Sequence, residues 1–219
     1  MTADNQVKVW DLFVRTFHWS LVTFFVISYL SGDEWDEIHA YSGYVILSLI
    51  TLRLIWGLIG SKYARFSQFI YSPTTTINYA KSVLGGTAKH YIGHNPLGGW
   101  MVIALLSSIS VTGVTGLMVY GEQGHGPLAS IKTLELQAPN LISDAQADDD
   151  EHEEHKGKED DENEWLEEIH ELFANFSVFL VLLHIAGVLF SSVHEKQNLP
   201  RAMIYGYKRS DNTADSEKQ

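Results

Sequence analysis

Four long stretches of this 219-residue chain are almost free of charge. No Asp, Glu, Lys or Arg occurs between Arg15 and Asp33, Glu37 and Arg53, Lys89 and Glu122, or Glu171 and Glu195. The second run continues past Arg53 as Leu54-Ile55-Trp56-Gly57-Leu58-Ile59-Gly60. A helix needs about 20 mostly apolar residues to cross a hydrocarbon core of about 30 Å. Segments 12–31, 39–60, 97–120 and 170–193 meet or approach that length. Helices buried in a soluble bundle carry polar outer stripes, and 97–120 and 172–193 carry none. The expectation is an all-α integral membrane protein built as a four-helix bundle. Lys8 and Arg15 precede the first run as in a secretory signal, but no small-x-small cleavage site follows it, so it reads as a retained helix.

Loop charges give the orientation, because Lys and Arg concentrate on the cytoplasmic side. Residues 1–16 carry Lys8 and Arg15; the 61–96 connection carries Lys62, Arg65, Lys81 and Lys89 with no acid; the tail carries Lys196, Arg201, Lys208, Arg209 and Lys218. On the other side, 32–38 hold Asp33, Glu34, Asp36 and Glu37 without a base, and 121–169 are strongly acidic against Lys132, Lys156 and Lys158. Both termini are thus expected in the cytoplasm, with an acidic periplasmic loop at about 121–169. A net charge of −12 and a mean hydropathy of −0.05 average over these sides and imitate a soluble acidic domain. The acidic balance excludes nucleic acid as the main partner. The absence of cysteine excludes disulfides, thiolate metal sites and covalently attached c-type haem.

Residues 1–209 read as one transmembrane domain and 210–219 as a polar tail. In 74–84, Ile77, Ala80, Val83 and Leu84 recur at helical spacing, which fits a short helix on the cytoplasmic membrane face or a plain loop. Asp144 to Glu164 is too acidic to bury anything and is expected to be disordered or a solvated extension of the fourth helix.

Ionisable groups inside membrane helices are costly and point to function. His170 and His184 lie fourteen residues apart, about 40° short of four full turns and about 21 Å along the axis, so they share a face. With the topology above, His18 shares a level with His184 near the cytoplasm, and His39 shares a level with His170 near the outside. Two histidine pairs, each from two helices, are what two non-covalent haems with bis-imidazole ligation require. Arg53 follows His39 by the same fourteen-residue step and faces the same way, where the propionates of the inner haem are its natural partner. Gly43 and Gly187 lie near the ligands and serve either porphyrin approach or ordinary close helix packing. His90, His94, His125 and His194 read as interface or loop residues. His152 and His155 read as solvated filler or a weak divalent-ion site.

Val9-Trp10-Asp11-Leu12-Phe13-Val14-Arg15-Thr16-Phe17-His18-Trp19 resembles the opening signature of bacterial cytochrome b561, a group that includes the b-type cytochrome subunits of nickel–iron hydrogenases. The likeness continues through Ile38-His39-Ala40-Tyr41-Ser42-Gly43-Tyr44, Leu52 to Gly57, Gly93 to Met101, Glu168 to Leu172 and Glu195 to Gly206. It implies a four-helix membrane cytochrome with two b-type haems, held by His18 with His184 and by His39 with His170. It also implies electron flow between the quinone pool and a periplasmic partner such as a c-type cytochrome. Phe13 stands where the family commonly has proline.

The expected function is therefore a di-haem electron carrier in the bacterial inner membrane, with quinol oxidation as its possible activity and an acidic outer face that steers a basic partner. One alternative is a haem-bearing anchor subunit of a larger oxidoreductase. A divalent metal-ion transporter is the other, and it is opposed by the lack of Asp or Glu in any helix core.

Overall fold

A computed structural model describes residues 6–32, 36–129 and 151–209, with side chains in the last stretch from residue 164 onward. The tail at 210–219 and the acidic segment at 130–150 lie outside the described residues.

Four long helices form the molecule: α1 (Leu12–Ser31), α2 (Asp36–Ile59), α4 (Pro96–Glu122) and α5 (Glu151–His194). Between α2 and α4 come a 3-10 turn (Phe66–Gln68) and the short α3 (Pro73–Leu84); after α5 comes α6 (Leu199–Tyr205). Four of these starts have a local cause. Asp11 accepts from the Val14 amide at 2.8 Å, Ser72 from Thr75 at 3.2 Å, Asn95 from Gly98 at 2.8 Å and Asn198 from Arg201 at 2.8 Å. These side chains satisfy amides that the first turn leaves unpaired. Pro73, Pro96 and Pro200 supply the preset φ of the first turn.

The four long helices, with α5 counted from Glu164, are long and apolar enough to cross a membrane, and only 11% to 28% of their most apolar windows is buried. Leu30, Leu58, Ile59, Leu182 and Leu183 point outward. Apolar surface on that scale is stable only against hydrocarbon. The interior core is small: Phe17, Ile46, Ile50, Leu106 and Ile109, flanked by Phe13, Phe24 and Leu49. Small residues bring backbones together, as expected where lipid removes the hydrophobic drive for helix association. Ser108 on α4 and Ser177 on α5 share a buried hydrogen bond of 2.8 Å.

The short helix expected at 74–84 is α3, starting one residue earlier. The fourth helix reaches back to Glu151, so the described part of the acidic stretch at 144–164 continues that helix, and 144–150 lie outside the described residues.

Two features depart from a purely helical reading. Gln6–Lys8 (β1) and Tyr207–Arg209 (β2) pair antiparallel, with Val7 opposite Lys208. Ahead of β2, Gly206 takes φ 91°, and its carbonyl accepts from the Val9 and Trp10 amides at 2.9 and 3.1 Å. A side chain there is excluded, since a Cβ would lie 2.6 Å from the Trp10 carbonyl oxygen. Arg15 also donates to the Ile204 carbonyl. The two termini are thereby sewn to each other at one end of the bundle, here termed the terminal end; the opposite end is the acidic end.

Candidate functional site

α4 packs closely on α5 and on α2, and α1 packs on α2. Among the described residues α5 has no extensive packing with α1 or α2. His170 and His184 of α5 nonetheless stand opposite His39 of α2 and His18 of α1.

At the acidic end, His39 on α2 and His170 on α5 face each other with ring centroids 5.9 Å apart and planes at 81°. His39 Nδ1 donates to the Ser28 carbonyl at 2.9 Å, and His170 Nδ1 donates to the Thr112 carbonyl at 2.9 Å. A carbonyl can only accept, so each imidazole carries its proton on Nδ1 and leaves a bare Nε2 lone pair. Metal-binding histidines are oriented in this way. Two imidazoles bonded to opposite sides of one metal, at about 2 Å per bond, place their ring centres about 6 Å apart. Gly116 makes room for this arrangement, because a Cβ there would lie 2.7 Å from His170 Cε1.

At the terminal end, His184 on α5 is near enough to His18 on α1 for their charges to interact. His18 Nδ1 is sealed from solvent without a partner. Nothing lies within 4 Å of a Cβ built on Gly43 or Gly187. Open space beside histidine-bearing helix faces fits a planar group held edge-on, and these residues therefore fit haem.

Arg53 is 3% exposed. Its Nη2 donates to the Ala64 carbonyl at 3.1 Å, its guanidinium lies 5.1 Å from the Phe66 ring centre, and Nη1 has no acceptor. Asp11 supplies the nearby negative charge. Asp11 also caps α1 and accepts from Trp56 Nε1 at 3.1 Å and from the Ser61 hydroxyl. Burial pushes its carboxyl up, but the Ser61, Val14 and Trp56 hydrogen bonds and the Arg53 charge outweigh it and hold it below the ordinary range. The opening block of sequence and the Leu52–Gly57 block are thus one physical unit. Phe13 packs on Trp56 at 4.7 Å.

The four histidines read as interface or loop all stand on loops or at a helix end. His90 lies 3.4 Å from Glu195, His125 stacks on Tyr120 at 5.2 Å, and His194 stacks on Phe190 at 5.9 Å. The fourth differs in where its side chain goes. His94 turns inward between Trp10 and Phe69, each ring centre 4.6 Å away, with Nδ1 sealed and unpartnered. Its position before the Asn95 cap gave no sign of this, because irregular backbone places it. His152 and His155 fall where side chains are not described. Among the described residues no three His, Asp or Glu side chains gather to hold a metal ion by themselves.

Residues 9–206 match the family model described as prokaryotic cytochrome b561. No curated protein and no solved structure matches the chain. With four membrane-length helices and a match that spans nearly every described residue, the chain belongs to the prokaryotic cytochrome b561 family.

Proposed function

We propose that this protein is a di-haem b-type cytochrome that carries electrons across the inner membrane between the quinone pool and a periplasmic redox partner such as a c-type cytochrome. Family membership supports membrane electron transfer through haem b. The observation that carries the finer reading is the facing His39–His170 pair, its two Nε2 lone pairs freed by the Ser28 and Thr112 carbonyls. His18 and His184 form the second ligand pair, and Arg53 meets the carboxylates of the haem between them. The basic connections support a cytoplasmic side for both termini and a periplasmic side for the acidic end.

When bound, each haem supplies a one-electron couple. The protein does the rest. Backbone carbonyls fix imidazole orientation before binding, so little ordering is left to oppose it. The apolar helix faces exclude water and keep the surroundings of low dielectric, which strengthens every charge interaction near the iron. Arg53 offsets carboxylate charge that would otherwise be buried at a cost of several kcal/mol (about 3 on insertion scales).

The deciding experiment is a haem count on the purified chain with a reduced-minus-oxidised visible spectrum. Two haems per chain are expected, with one lost in His39→Ala or His170→Ala and the other in His18→Ala or His184→Ala. A colourless protein, or loss of both haems in every variant, would overturn the assignment. Quinol oxidation by the isolated chain then separates a carrier from an anchor subunit of a larger oxidoreductase.

A further inference from the structure

Arg53 Nη1 and His94 Nδ1 are among the buried nitrogens at the terminal end that have no hydrogen-bond partner, with Arg15 Nε, His18 Nδ1 and His90 Nδ1, and those first two share one wall. The Arg53 guanidinium sits over Phe66; Phe66 meets Phe69 at 5.7 Å; Phe69 meets His94 at 4.6 Å. The charges of Arg53 and His184 both act on His94, so the three groups enclose one region. His94 is fixed there: its ring is wedged between Trp10 and Phe69, and its carbonyl accepts from the Tyr71 hydroxyl at 3.4 Å.

Burial lowers the His94 imidazole to about 3, and the Arg53, Lys208 and His184 charges act in the same direction, so the ring is neutral with a single N–H. A proton on the sealed Nδ1 would be a donor with no acceptor. The proton therefore belongs on Nε2, and the residue as a whole keeps some accessible surface.

Asp11 is committed to Val14, Trp56 and Ser61, and Glu195 faces His90 and Lys208. Arg53 Nη1 is left without an acceptor, so a group that answers it must be anionic, and such a group can accept from His94 Nε2 as well. Haem b carries two carboxylates on one edge.

We infer that His94 is a positioning residue for the inner haem, donating from Nε2 to a propionate carboxylate that Arg53 also meets. This rests on the two-haem reading above.

The test uses the purified, haem-loaded protein. His94→Phe keeps the aromatic wall and removes the donor, and His94→Gln restores an N–H. Potentiometric titration should show two haems in both variants. The haem that disappears in His184→Ala should shift to lower potential in His94→Phe, because a less neutralised carboxylate favours the ferric iron. The shift should be largely reversed in His94→Gln, with the other haem unmoved throughout. The resonance Raman propionate-bending band should move in the Phe variant and return in the Gln variant. His94→Leu replaces the Phe variant if that one fails to assemble.

An unchanged potential and unchanged band with both haems in place would overturn the assignment. Loss of a haem in both His94 variants would also overturn it, by making His94 a ligand. A wild-type chain with fewer than two haems would instead bring down the parent reading, a failure visible before any variant is made.

Discussion

The two ends of the bundle solve one problem differently. At the acidic end, the spanning helices do all the positioning. His39 and His170 are held by backbone carbonyls of α1 and α4, and Gly116 clears the approach. At the terminal end, the irregular segments do it. Trp10, Asp11, Ala64, Phe66, Phe69 and His94 come from outside the spans; Ala64 and Phe66 hold the Arg53 guanidinium with Nη1 unpartnered, and Trp10 and Phe69 hold the His94 ring with Nδ1 unpartnered. Helix carbonyls can orient a neutral ligand, but they cannot neutralise an anion. A site that must hold carboxylates needs donors in surplus, and the terminal end has them.

The sharpest break in that contrast is Arg53→Gln. It removes the buried guanidinium that donates to the Ala64 carbonyl and that the proposed propionates face, and a hydrogen bond from a charged group is worth about 1.5–3 kcal/mol. Thermal unfolding should show that loss. The inner haem should be the one released on dilution or mild heating, with the outer haem spectrum unchanged. Arg53→Lys should rescue only partly, because an ammonium cannot reproduce the planar fork that meets Ala64 and a carboxylate together. Equal loss of both haems in Arg53→Gln would erase the distinction between the ends.

Gly116→Ala probes the opposite end. The added methyl meets the His170 ring at 2.7 to 3.6 Å, and an overpacked core costs about 1–3 kcal/mol. The ring must turn, which strains the Thr112 contact. The outer haem should bind more weakly, by roughly tenfold for each 1.4 kcal/mol, and the inner haem should be unaffected. Haem retention measured against a competing apoprotein reads the difference.

The spans and the histidine pairs were legible for the same reason. A bilayer demands apolar length, and a regular helix turns sequence spacing into a face and a depth. His170 and His184 could be placed by arithmetic alone. His94 could not, because its backbone belongs to the irregular 85–95 stretch and its neighbours Trp10 and Phe69 are distant in sequence. The β1–β2 pair was hidden likewise: three residues such as Gln6-Val7-Lys8 are too short for a period to show. For α6 the signs were present, with Asn198 as cap, Pro200 in the first turn and Gly206 after the end, but seven residues barely make two turns. The acidic run before Glu164 left two readings open, and its described part from Glu151 follows the helical one, since charge repulsion weakens a helix without preventing it.

The smallest effect should come from the clasp that closes the terminal end. Glu195 lies 3.4 Å from His90 and 3.6 Å from Lys208, and Lys208 Nζ donates to the Tyr91 carbonyl at 3.2 Å. Burial pushes the Glu195 carboxyl up, but the His90 hydrogen bond and the Lys208 charge outweigh it and leave it below the ordinary range. Burial also lowers the Lys208 ammonium, with Glu195 pulling it back. A carboxyl lowered in the folded state stabilises the fold above the ordinary glutamate range, and that stability is lost as pH falls through the range. Glu195→Gln should therefore cost about 1 kcal/mol near neutral pH, below the roughly 1.5–3 kcal/mol of a well-formed hydrogen bond to a charged group, because the contacts are 3.4 and 3.6 Å long. The gap to wild type should close as pH falls below about 4. The contacts are longer than ideal, which keeps the effect below that of Arg53. Thermal unfolding across that pH window measures it, and a gap that persists under acid would mean that Glu195 acts by packing and not by charge.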